Sequence, residues 1–528
     1  MQLNSPGVLF RLRRLLRTQS LVLGALAVGI GLLVGAGTVA FREAIDLVQT
    51  LFYGGDDLYL ARLARGLPGW LVVLGPTAGG LLVGLYYAKV MPGGKPQGVA
   101  QVIGAVARTG GRMRAGDGVL AACGSALSLG CGASVGREGP AVHLGAALAA
   151  GLAGRLRLGP GLARTVLGCG VAAAVAASFN APIAGALFAG EVVIGHYALS
   201  AFAPIVVSSV VATVLSRGWF GDFPAFILPH LTLASAWEFP AFVVLGGLCG
   251  LVAVAFMRGV FLAGGLASAL RLPAVLRPMV AGALVGLLAL VLPEVLGVGY
   301  EATDQVLKGA YHLDLLLPLI LAKLAASVIC LGFGFGGGVF SPSLTLGALV
   351  GGAFGLALAL VAPVSASGAY ALIGMGALAA AVLGAPISTT LIVFELTGDY
   401  ALSVGTMVAA VVAGALSRQI CGHLSFFRWQ LAKQGIDLKA PKAEGVLRVL
   451  RIGDLTWSAP PQRPAGGAAL VSVTAEETLA VALARLRQSG AEGLVVVDDQ
   501  GQPIGGLRET DLAWACVRAL DDAEGSGA

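Results

Sequence analysis

The chain has 528 residues, of which 57% are hydrophobic and only 12% are charged, whereas ordinary soluble domains carry roughly 25% charged residues. This composition excludes a soluble protein and indicates a polytopic membrane protein. The net charge of +6 comes from 34 basic and 28 acidic residues scattered at segment ends, so no nucleic-acid partner is expected. The seven cysteines show no CxxC spacing, and neither a disulfide framework nor a metal site is expected.

The N-terminal residues 1–19 precede the first apolar run and include Arg11, Arg13, Arg14 and Arg17. The run that follows, residues 18–41, contains no charge. It is too long for the apolar part of a signal peptide and predicts a spanning helix. The arginines predict a cytoplasmic N-terminus with an amphipathic segment over residues 1–19.

Uncharged windows then recur along the chain, and each is long enough to cross or enter a bilayer. They cover residues 66–88, 118–136, 165–190, 239–257, 278–293 and 400–417. Residues 324–394 contain no charge but many glycines and prolines, which predicts several short or broken helices around a buried or polar cavity. Lys323 precedes this window, and two roles remain open for it: snorkelling to the membrane interface, or attracting anions. We expect a membrane domain over residues 20–435 and a cytoplasmic tail over residues 436–528.

An internal repeat is the strongest structural signal. The segment from Gly136 to Pro140 matches the segment from Gly338 to Pro342, 202 residues later, and Ala181-Pro182-Ile183 matches Ala385-Pro386-Ile387 at an offset of 204. Two matches at nearly one period indicate a duplication with halves at about 20–217 and 237–435. Such halves in membrane proteins commonly face opposite ways, with the substrate site where their broken helices meet.

Both repeated motifs have the form of a glycine-rich loop that runs into a helix with proline in its first turn. The unpaired amides and the positive dipole at such a helix start can bind an anion without a cationic side chain. Glu138 would then mimic the anion, occupy its place and act as a gate. The alternative is that Glu138 only caps its own helix.

Four ordered runs, GREGPAVHLG, FNAPIAGALFAGE, GGGVFSPSLTLG and GAPISTTLIVFELTGDY, resemble the CLC family of chloride channels and proton-coupled chloride transporters. The resemblance implies a homodimer with one chloride pathway per protomer, an all-α inverted-repeat membrane architecture of broken helices, and Glu138 as the gating glutamate. The anion-binding residues that it implies are Gln97, Gly98, Arg137, Gly139, Val339, Phe340 and Phe427.

Three positions depart from the family pattern. Gln97 stands where a serine normally offers its hydroxyl to the anion, with a rival register at residues 93–96, and Phe427 replaces an anion-contacting tyrosine. Val192 stands where proton-coupled members usually carry a second glutamate, directly after Glu191. This pattern favours a channel-like pathway, while a proton-coupled antiporter and a fluoride exporter remain alternatives.

Two acids and one serine have competing interpretations. Glu191 and Glu395 follow their Ala-Pro starts at the same spacing and are candidates for helix caps; Glu191, with Val192, remains also a candidate for the proton pathway. Residues 132–136 satisfy the GxSxG pattern around Ser134, with His143 nearby, so an intramembrane serine hydrolase is the alternative from another functional class. A nucleophile elbow, however, needs a strand before the serine. We therefore expect no enzyme, and His143 is expected to be a packed or interface histidine.

The tail alternates strand-like and helix-like segments: LVSVT, a helix over 477–490, a strand over 493–507 and a helix over 510–520. This α/β pattern resembles a single CBS domain at about 447–520, with Thr510 and Asp511 at the position that contacts ribose in nucleotide-binding examples. An adenine nucleotide or a purely structural role remains open for it, as does a receptor function built on the tail. No other cofactor is expected, and we place the protein in the cell inner membrane with both termini cytoplasmic.

Overall fold

The computed structural model describes residues 19–55, 60–195, 199–221, 226, 231, 233–436, 450–455, 471–489, 491, 493–498, 500–508, 510–512 and 514. The predicted amphipathic segment over residues 1–19 lies outside this part of the chain except for its last residue.

Helices make up the membrane part. Those of the first half are α1 (Gln19–Tyr53), α2 (Leu60–Gly66), α3 (Gly69–Lys89), α4 (Val99–Thr109), α5 (Ala115–Gly130), α6 (Glu138–Arg155), α7 (Pro160–Phe179), α8 (Pro182–Phe188) and α9 (Leu199–Phe220). Those of the second half are α10 (Phe239–Ala269), α11 (Arg277–Ala289), α12 (Tyr300–Leu307), α13 (Leu313–Gly332), α14 (Phe340–Ala359), α15 (Ser367–Leu383), α16 (Pro386–Thr397), α17 (Tyr400–Cys421) and α18 (Phe426–Lys433).

Eight helices within the described residues are long and apolar enough to cross a bilayer. Others are too short to cross, among them α4, α15 and α16. The uncharged window 324–394 holds the end of α13 and all of α14 and α15, followed by most of α16. The prediction of broken helices in this window is therefore confirmed.

The two halves meet at equivalent residues. Gly136 and Gly338 form an isolated antiparallel bridge, in which each backbone N–H donates to the other's carbonyl oxygen at 2.7 Å. An antiparallel pairing between residues at the same place in two repeats requires a local two-fold axis between them. The halves are accordingly inverted, and the two glycine-rich loops lie in contact where the repeats meet.

Glycines let equivalent helix pairs pack closely in each half. A Cβ on Gly145 of α6 would come within 2.5 Å of the carbonyl oxygen of Gly170 on α7, and one on Gly347 of α14 would come within 2.3 Å of that of Gly374 on α15. Small residues at such contacts let membrane helices approach each other and gain dispersion energy. The duplication therefore extends from the loops to the helix packing behind them.

The described part of the tail contains a three-stranded sheet. Strand β1 (Val471–Thr474) pairs in parallel with β2 (Gly493–Val497), with α19 (Leu479–Ser489) between them, and β2 pairs antiparallel with β3 (Pro503–Arg508). The prediction of one strand over 493–507 is wrong, because the chain turns there. Asp498 accepts hydrogen bonds from Gln500 and Gln502, and Gly501 has a φ of +77°, a conformation that favours glycine in a turn. Residues 515–520 of the last predicted helix lie outside the described residues.

Candidate functional site

Glu138 is the first residue of α6, and its side chain is fully buried. One carboxylate oxygen accepts a hydrogen bond from the Tyr300 hydroxyl at 2.7 Å, and the other accepts one from the Ser341 hydroxyl. Tyr300 begins α12 and Ser341 lies in the first turn of α14. The acid of the first repeat is thus held by hydroxyl groups at two helix starts of the second repeat, those of α12 and α14.

Tyr300 is a site residue that the sequence analysis missed. The Arg137 guanidinium carbon lies 4.6 Å from the centre of its ring, while the Arg137 Nε lies 3.9 Å from a Glu138 carboxylate oxygen. The only local signal is the preceding Gly297-Val298-Gly299, which places a glycine with a φ of +93° just before the helix. This segment lies outside the two pairs of matched motifs, so the repeat period derived from those motifs did not single out Tyr300.

A cavity of about 440 Å³ brings together most of the predicted anion-binding residues. Its wall includes Gln97, Gly98, Gly139, Val339 and Phe427. Three helix starts reach it: α4 begins after Gly98, Gly139 is the second residue of α6, and Val339 precedes α14. Because the positive ends of three helices converge, the cavity favours an anion.

The wall of this cavity consists mainly of apolar side chains and glycines, and its polar side chains are mostly uncharged. Gln97 is half-buried, and the Gly98 N–H donates to the Gln101 side chain at 2.8 Å. Phe427 is buried, with its ring edge against Phe426. A bound anion would therefore be contacted by amide groups and aromatic edges at this end, without a hydroxyl from position 97 or 427.

Two of the predicted residues do not line the cavity. Phe340 packs its ring against Phe179 and Phe188, with ring centres 5.0 and 5.7 Å away, so only its backbone is available to an anion. Arg137 lines a small separate pocket that also includes Arg42. Within the described part of the chain, no group of three or more metal-type ligands comes together.

Comparison with known proteins decides the family. The family model described as "Voltage gated chloride channel" matches residues 79–418. The chain belongs to the CLC family. Among its relatives is the "Putative chloride channel protein ClcB-like" of Ralstonia nicotianae, 35% identical over 79% of this chain and 99% of the relative. The "Voltage-gated ClC-type chloride channel ClcB" of Salmonella typhimurium is 32% identical over 76% of this chain and 97% of the relative.

Solved structures share the CLC fold. A "slow cyanobacterial Cl-/H+ antiporter" matches with a TM-score of 0.69 and 23% identity, over 78% of this chain and 97% of the other. A "CLC-type fluoride/proton antiporter" matches with a TM-score of 0.64 and 23% identity over the same shares. At these identities the likeness concerns the fold.

The two repeated acids of this CLC protein cap helices in each other's half. Glu191 accepts hydrogen bonds from the N–H groups of Ile387 and Ser388 at the start of α16, at 3.0 and 2.8 Å. Glu395 accepts hydrogen bonds from Ile183 and Ala184 at the start of α8, at 2.9 and 2.8 Å. Both oxygens of each carboxylate are occupied in this way. The geometry favours a capping role for Glu191 over a place in a proton pathway, and the neighbouring Val192 is buried and apolar.

We expect Glu191→Ala and Glu395→Ala each to lower the free energy of unfolding by about 2 kcal/mol, because each leaves two helix-start N–H groups without a charged acceptor. Thermal unfolding in detergent measures the effect. Glu43→Ala, which removes an exposed acid of α1 together with its hydrogen bond from Trp219, is the control and should cost no more than about 0.5–1 kcal/mol. Equal stability of Glu191→Ala and Glu43→Ala would contradict the cap.

Of the two roles left open for Lys323, snorkelling to the membrane interface does not fit its full burial. Its side chain is fully buried, and its ammonium group donates to the carbonyl oxygens of Val295 and Gly297, each at 3.0 Å. The buried cation thereby fastens the segment that leads into Tyr300. These contacts indicate a positioning role for Lys323, since they fix the backbone just before Tyr300, whose hydroxyl donates a hydrogen bond to Glu138.

Ser134 is a structural residue of the repeat contact. Its hydroxyl lies 3.0 Å from that of Ser327, and its N–H donates to the Cys330 sulfur at 3.3 Å. The equivalent contact has the Gly336 N–H donating to the Ser128 hydroxyl at 3.0 Å. No described histidine or acid makes a hydrogen bond to Ser134, and the comparisons give no support to a hydrolase.

Lys433 is a cavity residue that the sequence analysis missed, whereas Thr510 and Asp511 are predicted residues of the tail. Lys433 lines the 440 Å³ cavity, with its ammonium group 4.5 Å from the centre of the Phe261 ring and 5.8 Å from that of Trp429. It is the one cation among the described residues of that wall. In the tail, Thr510 and Asp511 are exposed at the start of a helical segment.

Proposed function

We propose that this CLC protein transports chloride and similar small anions through a pathway gated by Glu138. The observation that carries the proposal is the convergence of three helix starts on one cavity beside a fully buried carboxylate. Helix-start amides attract an anion through partial charges, and they hold it less tightly than a fixed cation would. Such binding suits a transported ion, which must leave as well as enter.

Glu138 is suited to gating because it competes with the anion for the same environment. Its carboxylate accepts hydrogen bonds from the Tyr300 and Ser341 hydroxyls, which are the kind of donors that a chloride ion also accepts. Protonation of the carboxylate weakens that competition, and so does displacement by an arriving anion. Either event opens the path between the two loops.

Chloride is the first choice of anion because the curated relatives are named chloride channels. At the position of Val192 the missing acid favours channel-like transport. Fluoride is a second candidate: Gln97 and Phe427 leave the cavity without the family's two hydroxyl donors, and one structural neighbour is named a fluoride/proton antiporter.

Anion efflux from liposomes tests the proposal. Purified protein in liposomes loaded with chloride should release the ion faster than protein-free liposomes, as followed by a chloride electrode, and the same assay with fluoride ranks the two anions. Ser134→Ala should keep the flux, since the Ser134 hydroxyl contacts only structural partners. Efflux no faster than from empty liposomes would remove the proposal.

Lys433→Gln should lower chloride flux about threefold at low ionic strength, because a single cation at the mouth of a low-dielectric cavity raises the local anion concentration. The deficit should disappear at ~1 M impermeant salt, where the screening length falls to about 3 Å. Lys89→Gln, at the exposed end of α3, is the control and should change nothing. A deficit that persists at high salt would point to a packing effect on Phe261 and Trp429.

We further propose the assembly and placement that the family resemblance supports: two chains form a dimer in the cell inner membrane, each with its own pathway and with both termini in the cytoplasm. The membrane domain spans about 20–435, and the tail carries a CBS-like unit at about 447–520. Exposed Thr510 and Asp511 are the candidate contacts for an adenine nucleotide.

A further inference from the structure

His143 is a buried histidine whose ring has no hydrogen-bond partner among the described residues. It is 1% exposed, and neither Nδ1 nor Nε2 is paired. Buried polar atoms in folded proteins are paired in the large majority of cases, because an unpaired one loses its water without compensation. A packing role alone would be served better by an apolar side chain of similar size, so the imidazole calls for a functional explanation.

The surroundings of His143 provide one. It lines a second cavity of about 380 Å³, bounded by one face of α4, by the loop into α5 and by the first turn of α5. The other lining residues are Gln97, Gln101, Ala105, Arg112, Met113, Arg114 and Asp117. Gln97 also lines the first cavity, the one of about 440 Å³ proposed to bind the anion and called the anion cavity below. The two cavities therefore adjoin at this residue.

The helix places His143 close to the gate. It lies four residues after Gly139, which lines the anion cavity, so both are on one face of α6 and one turn apart. Helical side chains tilt toward the N-terminus, and the ring therefore covers the turn of Gly139, which offers no side chain of its own. Glu138 begins that same turn. His143 lies five residues after Glu138, ~7.5 Å along the axis and about 140° around the helix, so water in the adjoining cavities must bridge the imidazole and the gating carboxylate.

We propose that His143 relays protons between the second cavity and Glu138 and so couples anion transport to protons, although Val192 considered alone favours a channel. The inference rests on the proposed function, because it needs Glu138 to be the gate. A neutral ring nitrogen takes a proton from a hydronium ion in the second cavity, which leaves water, and the ring becomes an imidazolium. The imidazolium N–H then gives its proton through water molecules to the Glu138 carboxylate, and the neutral imidazole returns. The relay supplies the acid–base group that Val192 cannot supply.

Charges around the second cavity act on this step in opposite directions. Arg112 and Arg114 oppose a proton on His143, and Asp117 favours it. The other charged groups on helices packed against α6 are Arg42, Glu43 and Asp46 of α1, Arg108 of α4 and Arg164 of α7. α14 carries none. The second cavity thus carries two cations and one acid, and the helices packed against α6 add three cations and two acids.

The ratio of proton flux to chloride flux tests the relay. Liposomes containing the wild type should show proton movement driven by a chloride gradient alone. His143→Gln and His143→Asn should lower the ratio at least tenfold while chloride still moves. His312→Gln, which changes an exposed histidine before α13, should keep the wild-type ratio. Because each flux scales equally with the amount of folded protein, partial misfolding does not change the ratio.

Three results would overturn the relay. They are a wild-type ratio in both His143 variants, chloride flux without any proton movement in the wild type, and loss of chloride flux in both His143 variants, which would identify His143 as a packing residue. Absence of chloride flux in the wild type would instead remove the proposed function itself. The two failures are therefore distinguishable in one experiment.

Discussion

Glu138→Ala is expected to abolish the pH dependence of chloride flux while leaving the flux itself in place. In the wild type, flux should rise as the pH falls, because a neutral acid at the gate competes less with chloride than a carboxylate does. Alanine removes the carboxylate that the Tyr300 and Ser341 hydroxyls bind. Chloride efflux measured across a series of pH values, with equal pH on both sides, gives the comparison.

Two further variants sharpen this experiment. Glu138→Gln keeps the size of the side chain without its charge, and its flux should also be independent of pH. Glu43→Gln is the control. Glu43 is an exposed acid of α1 that accepts a hydrogen bond from Trp219, and its replacement should keep the wild-type pH profile. A wild-type pH profile in Glu138→Ala would show that another group gates the pathway.

Gly139→Ala is expected to eliminate chloride flux, because the new methyl group would lie 2.9 Å from the Gly338 Cα. The obstacle is backbone, so the loops would have to separate, and overpacking of this kind costs about 1–3 kcal/mol. The bridge between Gly136 and Gly338 and the helix starts around the cavity would move with them. Flux and the monodisperse fraction in gel filtration are the measurements.

The same helix supplies the control for this substitution. Gly154, in the last turn of α6, has nothing within 4 Å of a built Cβ, and Gly154→Ala should retain full flux with unchanged or slightly higher stability. If Gly139→Ala carried chloride as well as Gly154→Ala does, close contact between the loops would not be needed for transport.

The repeat explains why the anion cavity could be predicted from the sequence. Gly136 and Gly338 mark the same turn in both halves, and a duplicated loop-to-helix motif in a membrane protein indicates a shared site before any contact is known. The assignment of Gln97 and Phe427 needed the family resemblance, because neither lies in a repeated motif. Of the seven anion-binding residues that the resemblance implied, five line the cavity, and only Arg137 and Phe340 do not.

Tyr300, Lys323 and His143 show what the sequence could not supply. The contact from Tyr300 to Glu138 joins residues 162 positions apart, and Lys323 finds its carbonyl partners 28 and 26 positions earlier. A lysine beside an apolar window fits an interfacial position equally well on composition alone. Whether a histidine such as His143 is paired depends on its neighbours in space, which periodicity does not reveal.

The antiparallel bridge between Gly136 and Gly338 has a consequence for the gate. Across that axis the residue equivalent to Glu138 is Phe340, 202 positions later. Two identical halves would carry the same side chain at both places, either two mutually repelling acids or none. Because this chain contains both halves, it can place a single acid at one position and, at the other, an apolar ring that packs against Phe179 and Phe188.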